Sequence, residues 1–118
     1  MKTLATRSIL ALAVISIATL GLVPVASART DTVNVTAKEF SLKLSARSIA
    51  SPGTVTFNIR NAGHVAHDFR INGRQTPMIR PGKTARLVVT FKKKASYHYL
   101  CTVPGHAAAG MKGVFAVR

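Results

Sequence analysis

Cysteine is all but missing from this chain. Cys101 stands alone among 118 residues, and a single thiol excludes an internal disulfide framework. Acidic residues are nearly as scarce: Asp31, Glu39 and Asp68 are the only three. With so few carboxylates there is no paired-carboxylate arrangement for general acid–base work, and no Ser-His-Asp constellation can be assembled. Internal repeats, low-complexity segments and internal linkers are absent as well, which leaves one domain to explain.

The first 28 residues read as an export leader. Lys2 and Arg7 supply a positive start, Ile9 to Val25 an apolar stretch, and Ala26-Ser27-Ala28 a small-residue cleavage site. The stretch is near the length that spans a bilayer, so an uncleaved leader would act as a membrane anchor. Cleavage after Ala28 leaves 90 residues, Arg29 to Arg118, in the periplasm or another extracytoplasmic space. A domain of that size has limited capacity to bury apolar surface. In an oxidising compartment a bare thiol is a liability. The economical explanation for Cys101 is that a metal occupies it.

What the chain has in excess is positive charge. Two of its 17 basic residues lie in the leader; the remaining 15 against 3 acids give the mature domain a formal charge of +12. Such a field bears on partners and not on fold. Nucleic acid is disfavoured by export, and no aromatic residue interleaves with Lys92-Lys93-Lys94 to stack on bases. An acidic redox protein is the expected partner, with an anionic membrane surface as the other class, and the domain is expected to be a monomer.

Period-two alternation dominates the mature chain. Val33, Val35 and Ala37 alternate with polar residues, and Phe40, Leu42 and Leu44 do so again. Ser51-Pro52-Gly53 marks a turn before Val55, Phe57 and Ile59. Phe69 and Ile71 lead to a turn at Asn72-Gly73, and Pro81-Gly82 opens a strand from about Ala85 to Phe91. Tyr97, Tyr99 and Cys101 share one face of a later strand, and Val114 to Val117 closes the domain. Seven to eight short strands with turn signals about every ten residues predict an all-β Greek-key sandwich behind the leader helix. In a sandwich the loops gather at the two ends, where sites are built.

The chemistry concentrates in Cys101-Thr102-Val103-Pro104-Gly105-His106 and, five residues on, Met111. Thiol, imidazole and thioether are copper ligand types. A second imidazole comes from the segment Asn61 to Asp68, which offers His64 and His67. Two His and one Cys in a trigonal set, with a distant Met, make a blue-copper electron-transfer site. Pro104-Gly105 reverses the chain so that Cys101 and His106 can face one ion. His98 is out of phase with Cys101 on the same strand and points to the opposite face.

Two segments carry a family resemblance. Asn61-x-Gly63-x-x-x-His67-Asp68-Phe69 and Tyr97-x-Tyr99-x-Cys101-Thr102-x-Pro104-Gly105-His106, followed by Met111 and Gly113, resemble the cupredoxins, small blue-copper proteins of plastocyanin and azurin type. The ligand-loop spacing is similar to that of auracyanin. The resemblance runs from about residue 32 to the C-terminus. It implies a copper ion held closely by His67, Cys101 and His106 with Met111 as the long axial ligand. One departure is Asp68, where the family commonly has Asn; a carboxylate can accept hydrogen bonds but cannot donate. The implied function is one-electron carriage by an exported copper protein, with the electron passing through the His106 ring. A buried set of four ligands leaves no open position for a substrate, so no enzyme is expected. The same ligands would also serve periplasmic copper transport, storage or resistance.

Overall fold

Alternation of the kind just described can be satisfied only by burying one face of each strand. That is what the computed structural model of this protein, which describes residues 11–21 and 30–118, shows. Strand β1 (Thr30–Lys38) turns Val33, Val35 and Ala37 inward, and β2 (Ser41–Leu44) does the same with Leu42 and Leu44. β4 (Gly53–Asn61) contributes Val55, Phe57 and Ile59, and β7 (Thr84–Phe91) contributes Leu87, Val89 and Phe91. These four form one sheet in the order β2-β1-β4-β7, with β1 and β4 parallel and the other pairs antiparallel.

The facing sheet has the order β3-β9-β8-β5-β6. It consists of β3 (Ser48–Ile49), β5 (Arg70–Ile71), β6 (Arg74–Gln75), β8 (Ala95–Leu100) and β9 (Lys112–Val117). Between the sheets lies an aromatic cluster. The Phe57 ring sits 5.2 Å from Phe69, 6.4 Å from Phe91 and 5.5 Å from Phe115, centroid to centroid. Tilted and edge-to-face contacts of this kind add to the gain from burying the rings themselves.

Among the described residues nine strands form where the alternation predicts seven to eight. The surplus comes from two-residue pieces, β3 and β6, too short for a period to register. β6 exists because Asn72 and Gly73 both adopt positive φ, 49° and 72°, and so close a tight hairpin that pairs Ile71 with Arg74. Phe40 is a correction. It does not continue the inward row of Leu42 and Leu44 but lies in the turn before β2, half exposed.

No helix occurs among the described residues. The leader helix expected from the sequence is not formed over residues 11–21, and the rest of the leader lies outside the described residues. Leu12, Val14, Ile15, Ile17 and Leu20 are all at least 80% exposed. A short segment with nothing to pack against has no tertiary contact to offset the cost of helix nucleation.

Candidate metal centre

The ends of β1, β4 and β8 and the start of β9 converge at one end of the sandwich. There the loop after β4 and the loop joining β8 to β9 meet. Asn61, fully buried at the end of β4, organises the first. Its amide donates to the carbonyls of Val65, at 2.8 Å, and Ile79, at 2.7 Å, while its oxygen accepts the Gly63 N–H. His67 is then fixed by a reciprocal backbone pair with Ile79. Its side chain is wholly buried.

The second loop is closed at its base. The Cys101 N–H donates to the Met111 carbonyl at 3.0 Å, and the Met111 N–H donates to the His106 carbonyl at 3.1 Å. Between them the chain turns tightly, with Gly105 at φ 81° and an i→i−4 bond from Ala109 to Gly105. This is an isolated i→i−4 turn, Gly105 to Ala109, and not a helix. It ends at Gly110, whose φ of 128° and close approach to the Phe40 carbonyl oxygen exclude a side chain.

Together the loops place three donor atoms on a small triangle. His67 Nδ1 and His106 Nδ1 are 3.1 Å apart, and Cys101 Sγ lies 4.0 Å from the first and 3.7 Å from the second. The centre of that triangle is about 2.1 Å from every corner, close to the ~2.0 Å and ~2.3 Å at which imidazole and thiolate bind a transition ion. The residues therefore fit a single metal ion. Met111 is fully buried beside Cys101, tied to it through the backbone. His64 and His98 are both exposed and outside the triangle.

Three further residues act on this centre, none of them singled out in the sequence as doing so. Glu39, in the turn after β1, accepts a hydrogen bond from His67 Nε2 at 2.8 Å and from the N–H groups of His64 and Val65 at 2.8 and 3.0 Å. Its carboxyl is lowered from the usual 4.5 to about 2. The Val65 N–H is the main cause, desolvation opposes it, and the His64 N–H and His67 ring assist. Gly63 leaves room for this carboxylate, since a Cβ there would collide with it and push it from its place. Phe40 sets its ring edge-on to His106, 5.3 Å between centroids. Gln75, on β6, donates to Asp68 at 2.8 Å and to the Thr102 hydroxyl at 3.2 Å.

Asp68 binds the loops to each other. Its Oδ1 accepts the Thr102 N–H at 2.6 Å, and its Oδ2 accepts the Thr102 hydroxyl and the Gln75 amide. Burial acts to raise this carboxyl, but the Thr102 and Gln75 hydrogen bonds outweigh it, and the acid lies below the ordinary range. Burial pushes the Cys101 thiol up, and the neighbouring Asp68 charge adds to the effect.

A two-sheet sandwich carrying two imidazoles and a thiol on one end has the donor chemistry of the blue-copper class. Comparison with known proteins agrees. Residues 25–118 match the model of the copper-binding proteins of the plastocyanin/azurin family, and this chain belongs to that family. Among solved structures it is similar to a reduced auracyanin from Roseiflexus castenholzii (TM-score 0.65, 22% identity, covering 74% of this chain and 96% of that one). It is also similar to auracyanin A, a blue copper protein from Chloroflexus aurantiacus (TM-score 0.66, 18% identity, 76% and 100%). A curated relative, the copper-resistant cuproprotein CopI of Pseudomonas aeruginosa, is 42% identical over 41 residues. That match spans 35% of this chain and 23% of the relative's length. Copper is thus the cofactor of this fold and donor set.

Proposed function

We propose that this protein is an exported one-electron carrier that holds copper through His67, Cys101 and His106, with Met111 as the weak fourth ligand. The observation that carries the reading is the nitrogen–nitrogen–sulfur triangle, compact before any ion is considered and buried at His67 and Cys101. Copper would supply the Cu(II)/Cu(I) couple, and a two-His, one-Cys set with weak Met suits both states.

The chain's own residues contribute rigidity and access. His67 is locked by backbone pairing, Cys101 by the loop closure to Met111, and Asp68 ties one loop to the other. Little can move when the charge at the centre changes, which is what fast electron exchange requires. His106 is the less buried imidazole, flanked by Val103, Pro104 and the Ala107–Ala109 run, and framed by Phe40. This ring is the route out, and the apolar frame is the docking patch. With His67, Cys101, His106 and Met111 as ligands no position would be left for a substrate, which supports a carrier over an enzyme.

Charge supports an acidic partner. On the outward face of the first sheet, strand register places Lys43 and Arg60 on either side of Thr36, with Arg86 beside Asn58 and Lys38 at the end of β1. No carboxylate shares that outward face among the described residues. The leader pattern supports an extracytoplasmic location.

The similarity to CopI favours a second reading, copper handling for resistance. An absorption spectrum of the copper-loaded chain tests the shared core: an intense thiolate-to-copper visible band is expected, and its absence rejects both readings. Electron self-exchange and metal release then separate them. Fast exchange with slow release is expected for the carrier; the reverse would favour the copper handler.

A further inference from the structure

Each hydrogen bond around the donor triangle has an evident purpose except one. His67 has two ring nitrogens. One belongs to the triangle, and the other, Nε2, is aimed away from it into the fold, where an imidazole N–H left alone would be a buried orphan. It meets the Glu39 carboxylate at 2.8 Å. Glu39 is held there by two backbone N–H groups from the same loop that carries His67, and by the bare α-carbon of Gly63 beneath it. The exposed His64 ring adds only a 3.5 Å contact to the far oxygen.

We propose that Glu39 is a positioning residue for the metal centre: its carboxylate fixes the His67 tautomer with the proton on Nε2, presents the Nδ1 lone pair to the ion, and biases the centre towards Cu(II). The inference rests on the proposed copper reading of the same triangle. An ionised carboxylate accepts and cannot donate, so the shared proton must sit on Nε2. Nδ1 is then unprotonated and faces Cys101 Sγ and His106 Nδ1. A carboxylate behind a ligating imidazole also raises the ligand's basicity, which stabilises the higher oxidation state of the bound metal.

The surrounding turn supports this role. Glu39 touches one imidazole and its chain neighbour Phe40 touches the other, so a single turn between β1 and β2 braces both His side chains. Glu39 is also one of only three acids in a strongly basic protein. The other acid at this end, Asp68, bonds Thr102 and Gln75, which leaves the His67 ring to Glu39.

Two variants test the idea in the copper-loaded full chain. Glu39→Gln keeps an acceptor oxygen and removes the charge. Its visible band should persist, while the preference for Cu(II) over Cu(I) falls about tenfold, read as a rise of about 59 mV in a one-electron potential. Glu39→Ala removes both. In the metal-free chain, ¹⁵N spectra should show the slowly exchanging His67 Nε2 proton of the parent lost and the ring distributed over both tautomers. A potential unchanged in Glu39→Gln, or a His67 tautomer and proton exchange unchanged in Glu39→Ala, overturns the proposal. Should the alanine variant not fold, the glutamine potential decides alone. A parent protein with no thiolate-to-copper band would instead overturn the copper reading, a separate failure.

Discussion

The Asp68 carboxylate and Thr102 are joined twice, through the Thr102 backbone N–H at 2.6 Å and through its hydroxyl. One residue follows His67 and the other follows Cys101, so this pair clamps the two ligand loops together one position behind the donors. An amide in place of the carboxylate would offer one acceptor and one donor. Here both oxygens accept, and the donors come from Thr102 and Gln75.

Replacing that carboxylate tests its charge. In Asp68→Asn the Thr102 N–H keeps its acceptor, while the Thr102 hydroxyl and the Gln75 amide can reverse to accommodate the new donor. The fold and copper binding should survive. The reduction potential should rise, on the order of tens of millivolts, because a negative charge beside Cys101 has gone. Voltammetry of matched proteins checks this; an unchanged or lower potential rejects the electrostatic account.

Acid should weaken the metal-free protein in a defined window. Glu39 has a folded value of about 2 against an ordinary 4.5, and Asp68 is also lowered. A depressed carboxylate stabilises the fold above its ordinary value, and that contribution disappears as pH falls through the folded one. The melting temperature should therefore fall progressively between pH 4.5 and about 2. In Glu39→Gln the fall should be shallower; an identical profile would show that Glu39 is not linked to folding.

The sandwich core should be intolerant at Phe57. Its ring is fully buried and meets Phe69, Phe91 and Phe115. Phe57→Ala should cost about 3–5 kcal/mol by loss of transfer energy and creation of a cavity. Denaturant unfolding of the metal-free domain measures it, and a loss below about 1 kcal/mol would mean that the rings around it close over the space.

Electron transfer with an acidic protein should be strongly salt-dependent. The domain's excess of basic residues acts at long range, and screening shortens that reach to about 8 Å at physiological ionic strength. Stopped-flow rates should fall steeply as salt is added, and more gently in Lys43→Glu/Arg60→Glu. A flat profile in the parent would mean that steering by charge plays no part.

Much of this was legible in the chain because it is local. Cys101, His106 and Met111 lie within eleven residues, so the sequence alone displays them as one loop. The core strands show their inward residues at every second position. What is not local was not legible. Glu39 and His67 are 28 residues apart, and a Lys38-Glu39 pair after a strand reads as solvated charge. Phe40 kept the alternation of β2 on paper, but the turn that carries Glu39 displaces it to the His106 ring. Gln75 depends on a hairpin whose strands are two residues long, below the length at which periodicity speaks.

Strand β1 begins at Thr30 on the far side of the sandwich and delivers Glu39 to the copper-binding end nine residues later. At about 3.3 Å per residue, that nine-residue strand holds its two ends roughly 26 Å apart. Any tether attached ahead of Thr30 would thus grip the molecule by its opposite pole, leaving the His106 face turned outward and free to meet whatever diffuses past.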